Sequence, residues 1–162
     1  MRRRTMLGAA LWAVTAAAAG ADGERRMNVH ASLSVDARHD KVLVTFKFEN
    51  RGERRIGLPR EVAADTELSR RLFDLRRHPG GAELPYTGRM VKRAALTLDD
   101  YVELPPHSVR THTIDITRAY AFEPGTHTYV IRYQGEVLAD VRRLESAVEL
   151  STEPVTFSHT GR

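Results

Sequence analysis

The chain has 162 residues, with 25 Lys+Arg against 21 Asp+Glu and no cysteine. Without cysteine there is no disulfide, no thiol nucleophile and no cysteine-based zinc site, so stability must come from a packed core. The length suits one domain, and without a sustained basic tract nucleic acid is not an expected partner.

The first residues have the three-part layout of a secretory signal peptide. Arg2, Arg3 and Arg4 precede an uncharged run from Thr5 to Ala21, and Ala19-Gly20-Ala21 offers small residues for cleavage. The run is Ala-rich and only moderately hydrophobic, whereas a retained anchor uses about 20 strongly apolar residues. Cleavage near Ala21 is therefore expected, leaving no membrane anchor and a periplasmic or extracellular protein. An ordinary Sec leader is the simpler reading, and Arg3-Arg4-Thr5-Met6-Leu7 also fits a twin-arginine signal loosely. Three arginines leave with residues 1–21, so the mature balance is 22 basic against 21 acidic residues. Most of the basic excess belongs to the leader.

After a polar lead-in (22–26), Met27 to Val35 alternates with period two, placing Val29, Ala31, Leu33 and Val35 on one face. Val42, Val44, Phe46 and Phe48 do the same, and Asn50-Arg51-Gly52 ends the run. The two form an expected antiparallel pair. Arg55 to Leu58 reads as a short strand stopped by Pro59. Leu68 to Arg77 suits either a helix or a strand, and its β context favours a strand ending at His78-Pro79-Gly80-Gly81, with Glu83 to Tyr86 returning as partner. Further strands are expected at Tyr101 to Leu104, Ser108 to Thr117, Thr126 to Gly135, Ala147 to Leu150 and Val155 to Phe157. Seven to nine short strands punctuated by turns predict an all-β, immunoglobulin-like antiparallel sandwich over 27–158, with a tail at 159–162.

Catalytic motifs are absent from the sequence. It has no Gly-x-Ser-x-Gly elbow, P-loop or Gly-x-Gly-x-x-Gly, and no histidine is followed by glutamate, so His-Glu-x-x-His is missing. The seven histidines are scattered. By strand parity His112 and His127 would approach each other only if their strands were neighbours, and a hydrogen-bonded or edge role is the plainer reading. Asp99-Asp100 reads as capping or turn chemistry, and Tyr120, Tyr129 and Tyr133 as packing residues bonded to backbone near the Pro124-Gly125 turn. No catalytic residue, metal ligand or cofactor site is assigned. The protein is expected to fold without metal, to be indifferent to chelator and to lack hydrolase activity.

One stretch breaks the strand pattern. Leu84 to Leu104 carries Tyr86-x-Gly88, Lys92-Arg93 and Asp100-Tyr101-x-x-Leu104, followed by Pro105 to Ser108, Asp115-Ile116, Ala119-Tyr120 and Pro124-Gly125-Thr126. This ordered set resembles the non-catalytic amino-terminal domain of aspzincin metallopeptidases, the deuterolysin and peptidyl-Lys metalloendopeptidase group, over most of Ser32 to Tyr133. The resemblance implies a β-sandwich with a pro-domain-like or accessory role. The catalytic domain's metal motif is not in the sequence, so peptidase activity does not carry over. Two readings of the loop stay open. In one, Tyr86, Gly88, Arg89, Lys92, Arg93, Asp100 and Tyr101 form a contact surface for a protein partner, with an exported metallopeptidase as one candidate. In the other, Lys92 and Arg93 pair with Asp99 and Asp100 while Tyr86 and Tyr101 pack the loop down. An enzyme or metal-binding site built from scattered His, Asp and Tyr, and an envelope structural domain without a dedicated ligand, are the alternative functions.

Overall fold

The computed structural model describes residues 28–162. The leader expected over 1–21, the lead-in 22–26 and Met27 lie outside the described residues. The described residues form nine strands: β1 (Val29–Asp36), β2 (Leu43–Asn50), β3 (Ile56–Pro59), β4 (Phe73–His78), β5 (Tyr101–Leu104), β6 (Ser108–Asp115), β7 (Gly125–Leu138), β8 (Ala147–Ser151) and β9 (Val155–Gly161). A single helical turn, α1 (Arg60–Ala63), follows β3.

Two antiparallel sheets result, giving the expected all-β sandwich. One has the order β1-β2-β6; in the other, β7 is the hub. At 14 residues β7 is long enough to serve two neighbours on each side. Its first half pairs with β4 and β9, and its second half pairs with β8 and, at Leu138, with Gly57 of β3. The ladders β1-β2-β6 and β4-β7-β9 match the A-B-E and C-F-G orders of an immunoglobulin-type sandwich.

The alternating patterns explain the core. Val44, Phe46 and Phe48 of β2 are fully buried, as are Ile114 of β6 and Tyr129 and Ile131 of β7. Phe46 is central: its ring stacks on Phe48 (5.3 Å) and Phe73 (5.6 Å) and meets Tyr133 edge-on at 5.1 Å. Such aromatic pairs add about 0.5–1.5 kcal/mol each beyond area burial. Asn50 closes the end of β2 as a buried polar staple. Its Nδ2 donates to the carbonyls of Arg54 (2.7 Å), Leu104 (3.1 Å) and Pro105 (3.0 Å), and its Oδ1 accepts from the Gly52 N–H.

Several expected elements differ from those observed. Of the 68–77 stretch only the part from Phe73 onward is a strand, which runs on to His78; Leu68 and Leu72 are buried in irregular chain, which explains their mixed signal. The turn after β4 does reverse the chain, with Gly80 (φ +107°) and Gly81 (φ +70°) in conformations other residues rarely adopt. The return segment makes only a bridge at Glu83 and a second at Tyr86, the latter to Tyr120, instead of a strand. β7 continues past Gly135, and β9 takes in residues expected as a tail, burying His159. His112 and His127 lie on strands of different sheets and do not pair. His112 donates to the Asp65 carbonyl (2.7 Å), and His127 donates to Pro124 O while accepting from Arg77.

Candidate functional site

The chain from Tyr86 to Asp100 crosses the surface between β4 and β5 with little regular structure, tied down at separated points. Tyr86 lies over Gly88, where an added Cβ would sit 2.7 Å from the Tyr86 hydroxyl. This fixes the Tyr-x-Gly spacing: only glycine leaves room for the ring. The Tyr86 hydroxyl donates to Arg89 O (2.8 Å), and its ring meets Tyr120 edge-on at 5.4 Å. Thr87 and Gly88 donate their N–H groups to Ala119 O, and Val91 donates to Ser69 O. Further on, Thr97 and Asp100 form a reciprocal cap around the 3-10 turn Leu98–Asp100. The Thr97 backbone N–H, bonded to the Asp100 carboxylate, holds that group below its ordinary range against a small opposing burial effect.

The expected pairing of Lys92 and Arg93 with Asp99 and Asp100 does not form. Arg93 instead reaches inward, donating to Ser69 Oγ (2.8 Å) and standing 3.3 Å from Glu61. Lys92 has no ion-pair partner among the described residues. Glu61, on α1, is only 6% exposed. Arg70 binds it with two guanidinium nitrogens, Nε at 2.9 Å and Nη2 closer still. A buried carboxylate needs such partners, because stripping it of water costs several kcal/mol if they are missing. In return, the hydrogen bonds that Arg70 donates to Glu61 raise the Arg70 pKa, against the opposing effect of partial burial.

This ion cluster forms one wall of a cavity of about 410 Å³ beside the loop. Arg93, Ala94, Leu96, Asp100 and Tyr101 line it from the loop side, with Pro59, Glu61 and Arg70 beneath and Tyr133 to Glu136 of β7 opposite. Tyr133 is 1% exposed, and its hydroxyl finds no protein hydrogen-bond partner. It lies against Gly135, where a Cβ would fall 2.0 Å from the hydroxyl oxygen, repeating the Tyr-x-Gly relation of the loop. Tyr120 and Tyr129 do bond to backbone as expected: Tyr120 with both the N–H and the C=O of Phe73, and Tyr129 with the Glu123 N–H. Tyr133 departs from that expectation. Burial, reinforced by Glu61, pushes its hydroxyl pKa upward.

The outer surface of the loop carries apolar residues beside the exposed Arg89, Lys92 and Asp99. Six large hydrophobic residues are exposed among the described residues, and four of them, Met90, Val91, Leu96 and Leu98, fall within nine positions. A larger, more open groove of 680 Å³ on the loop's other flank is lined by Gly88 and Arg89. It contains the Lys41–Asp115 pair (3.5 Å) and no buried charge. Of the seven expected contact residues, Arg93, Asp100 and Tyr101 therefore border the cavity, Gly88 and Arg89 border the groove, Tyr86 anchors the loop, and Lys92 stands in solvent. Glu61 and Arg70 were not singled out in the sequence, where no signal marks a lone Glu two residues after Pro59 as buried; Tyr133 was expected only as a packing residue bonded to backbone. Among the described residues no three His, Cys, Asp or Glu side chains are grouped to hold a metal ion. No family model matches the chain, and no curated protein matches it significantly.

Proposed function

We propose that this chain is an exported, non-enzymatic protein-interaction module whose contact surface is the Tyr86–Tyr101 loop. One observation carries this reading: four of the six large hydrophobics exposed among the described residues fall within nine positions, 90–98, on a loop held in place from below. Scattered exposed apolar residues are ordinary, whereas a concentrated patch marks an interaction site. Anchoring by Tyr86, Arg93 and the Thr97–Asp100 cap supports it further, since a preordered loop loses less entropy on binding. The resemblance to the aspzincin accessory domain and the leader-like amino terminus suggest the setting: a periplasmic or extracellular protein acting as inhibitor, folding aid or targeting subunit, with an exported metallopeptidase as one candidate partner.

The test compares proteins retained from the exported fraction by the wild type and by a Met90→Asp/Leu96→Asp/Leu98→Asp variant. Loop apolar residues are substituted because Arg93 is held inward by Glu61. A defined protein retained by the wild type and lost from the variant is expected. Identical retention by both removes the loop as the contact surface.

A further inference from the structure

The cavity beside the loop has a charge pattern that specifies its ligand. Two guanidiniums and three carboxylates line it. Arg70 and Arg93 both pair with Glu61, whereas Asp100, bonded to Thr97 and within the longer-range field of Arg93, makes no ion pair among the described residues. Glu136 is exposed on β7 and has no ion-pair partner among the described residues. The lining therefore carries one net negative charge. Tyr101 registers that field: burial raises its pKa above the ordinary 10, and Glu136, Asp100 and Glu61 raise it further. Pro59, Ala94 and Leu96 supply apolar surface for a methylene stem. The volume of about 410 Å³ falls within the roughly 300–1,000 Å³ typical of ligand pockets.

We propose that the cavity binds a cationic side chain, lysine or arginine, presented by a protein partner whose adjacent apolar residue covers Met90 and Leu96. The proposal rests on the interaction reading above and adds the chemistry of the recognised residue. Binding neutralises the excess carboxylate charge and leaves the Glu61–Arg70–Arg93 cluster intact.

The probe is N-acetyl-leucyl-arginine amide, titrated into the protein while backbone amide NMR shifts are followed. Its citrulline counterpart keeps the shape and removes the charge. The arginine peptide is expected to move the amides of Ala94, Leu96, Tyr101 and Gln134 to Glu136. The citrulline peptide should bind about tenfold more weakly, the difference between charged and neutral hydrogen bonding. Glu136→Gln, on an exposed side chain, should weaken the arginine peptide about fivefold. Equal binding of the two peptides, shifts confined to other regions, or no shifts at all would overturn the proposal. If the loop variant loses its partner while the arginine peptide moves nothing, the interaction reading stands and the cation claim falls.

Discussion

Replacing Tyr133 by phenylalanine should stabilise the protein, although removing a buried hydroxyl usually does the reverse. A hydroxyl buried without a partner carries an uncompensated desolvation cost of about 1–3 kcal/mol. Tyr133 is 1% exposed and has no protein hydrogen-bond partner. Phenylalanine keeps the ring and its 5.1 Å edge contact with Phe46, sacrificing only the packing of one oxygen against Gly135. The net gain should be about 0.5–2 kcal/mol. With a urea m-value of about 1–3 kcal/mol/M, the unfolding midpoint rises by about 0.5 M. Tyr120→Phe is the opposite case. Its hydroxyl accepts from the Phe73 N–H at 2.9 Å and donates to the Phe73 carbonyl at 3.2 Å. Both backbone groups lose a partner, and stability should fall by about 1–2 kcal/mol. Urea unfolding of the three proteins under one condition decides the matter. The reasoning fails if Tyr133→Phe unfolds at or below the wild-type midpoint.

Asn50→Ala removes a buried amide serving three carbonyls and should cost about 2–3 kcal/mol in the same assay. Asn50→Asp should cost more at neutral pH, because a carboxylate would then face those carbonyls. The pH dependence of stability should carry a signature from Glu49. Hydrogen bonds from Lys47 and then Arg51 hold its carboxyl down to about 2 from the ordinary 4.5. The unfolded chain thus takes up this proton first, so the contribution is complete above pH 4.5 and is lost as pH falls through about 2. Glu49→Gln should reduce the drop in urea midpoint between about pH 6 and pH 3; an unchanged drop would show that Glu49 is not linked to folding.

The strands were legible where one face of the chain is buried. In β2 and β7, alternation marks the inward residues and strand parity sorts them correctly. The reading stopped short at Gly135 because glycine ordinarily marks a strand's weak point. Here it continues the strand, and its missing side chain makes room for the Tyr133 hydroxyl. The ion cluster was illegible for a different reason. Glu61 lies on a one-turn helix, Arg70 in irregular chain and Arg93 on the loop, so no periodicity links them. Their meeting is a product of tertiary structure. Asp100 was the exception: Asp99-Asp100 reads as capping or turn chemistry, and the Asp100 carboxylate does close a local cap, with Thr97 as its unforeseen partner.

The loop's attachment supports a role beyond self-packing. A loop optimised only for stability would turn Met90, Leu96 and Leu98 inward and leave Arg93, like Arg89, in solvent. This one does the opposite: the three apolar side chains are 73%, 49% and 42% exposed, while Arg93 reaches a carboxylate that is 6% exposed. Buried ion pairs are seldom more stable than apolar packing of similar volume. Their advantage is positional, because a guanidinium fork reaching one fixed carboxylate holds its chain segment in register without consuming apolar surface. Anchoring by charge thus leaves the hydrophobic residues available to a second molecule. The same arrangement keeps open a negatively charged cavity beside them, so an apolar contact and a cationic one can be made together by adjacent residues of one partner.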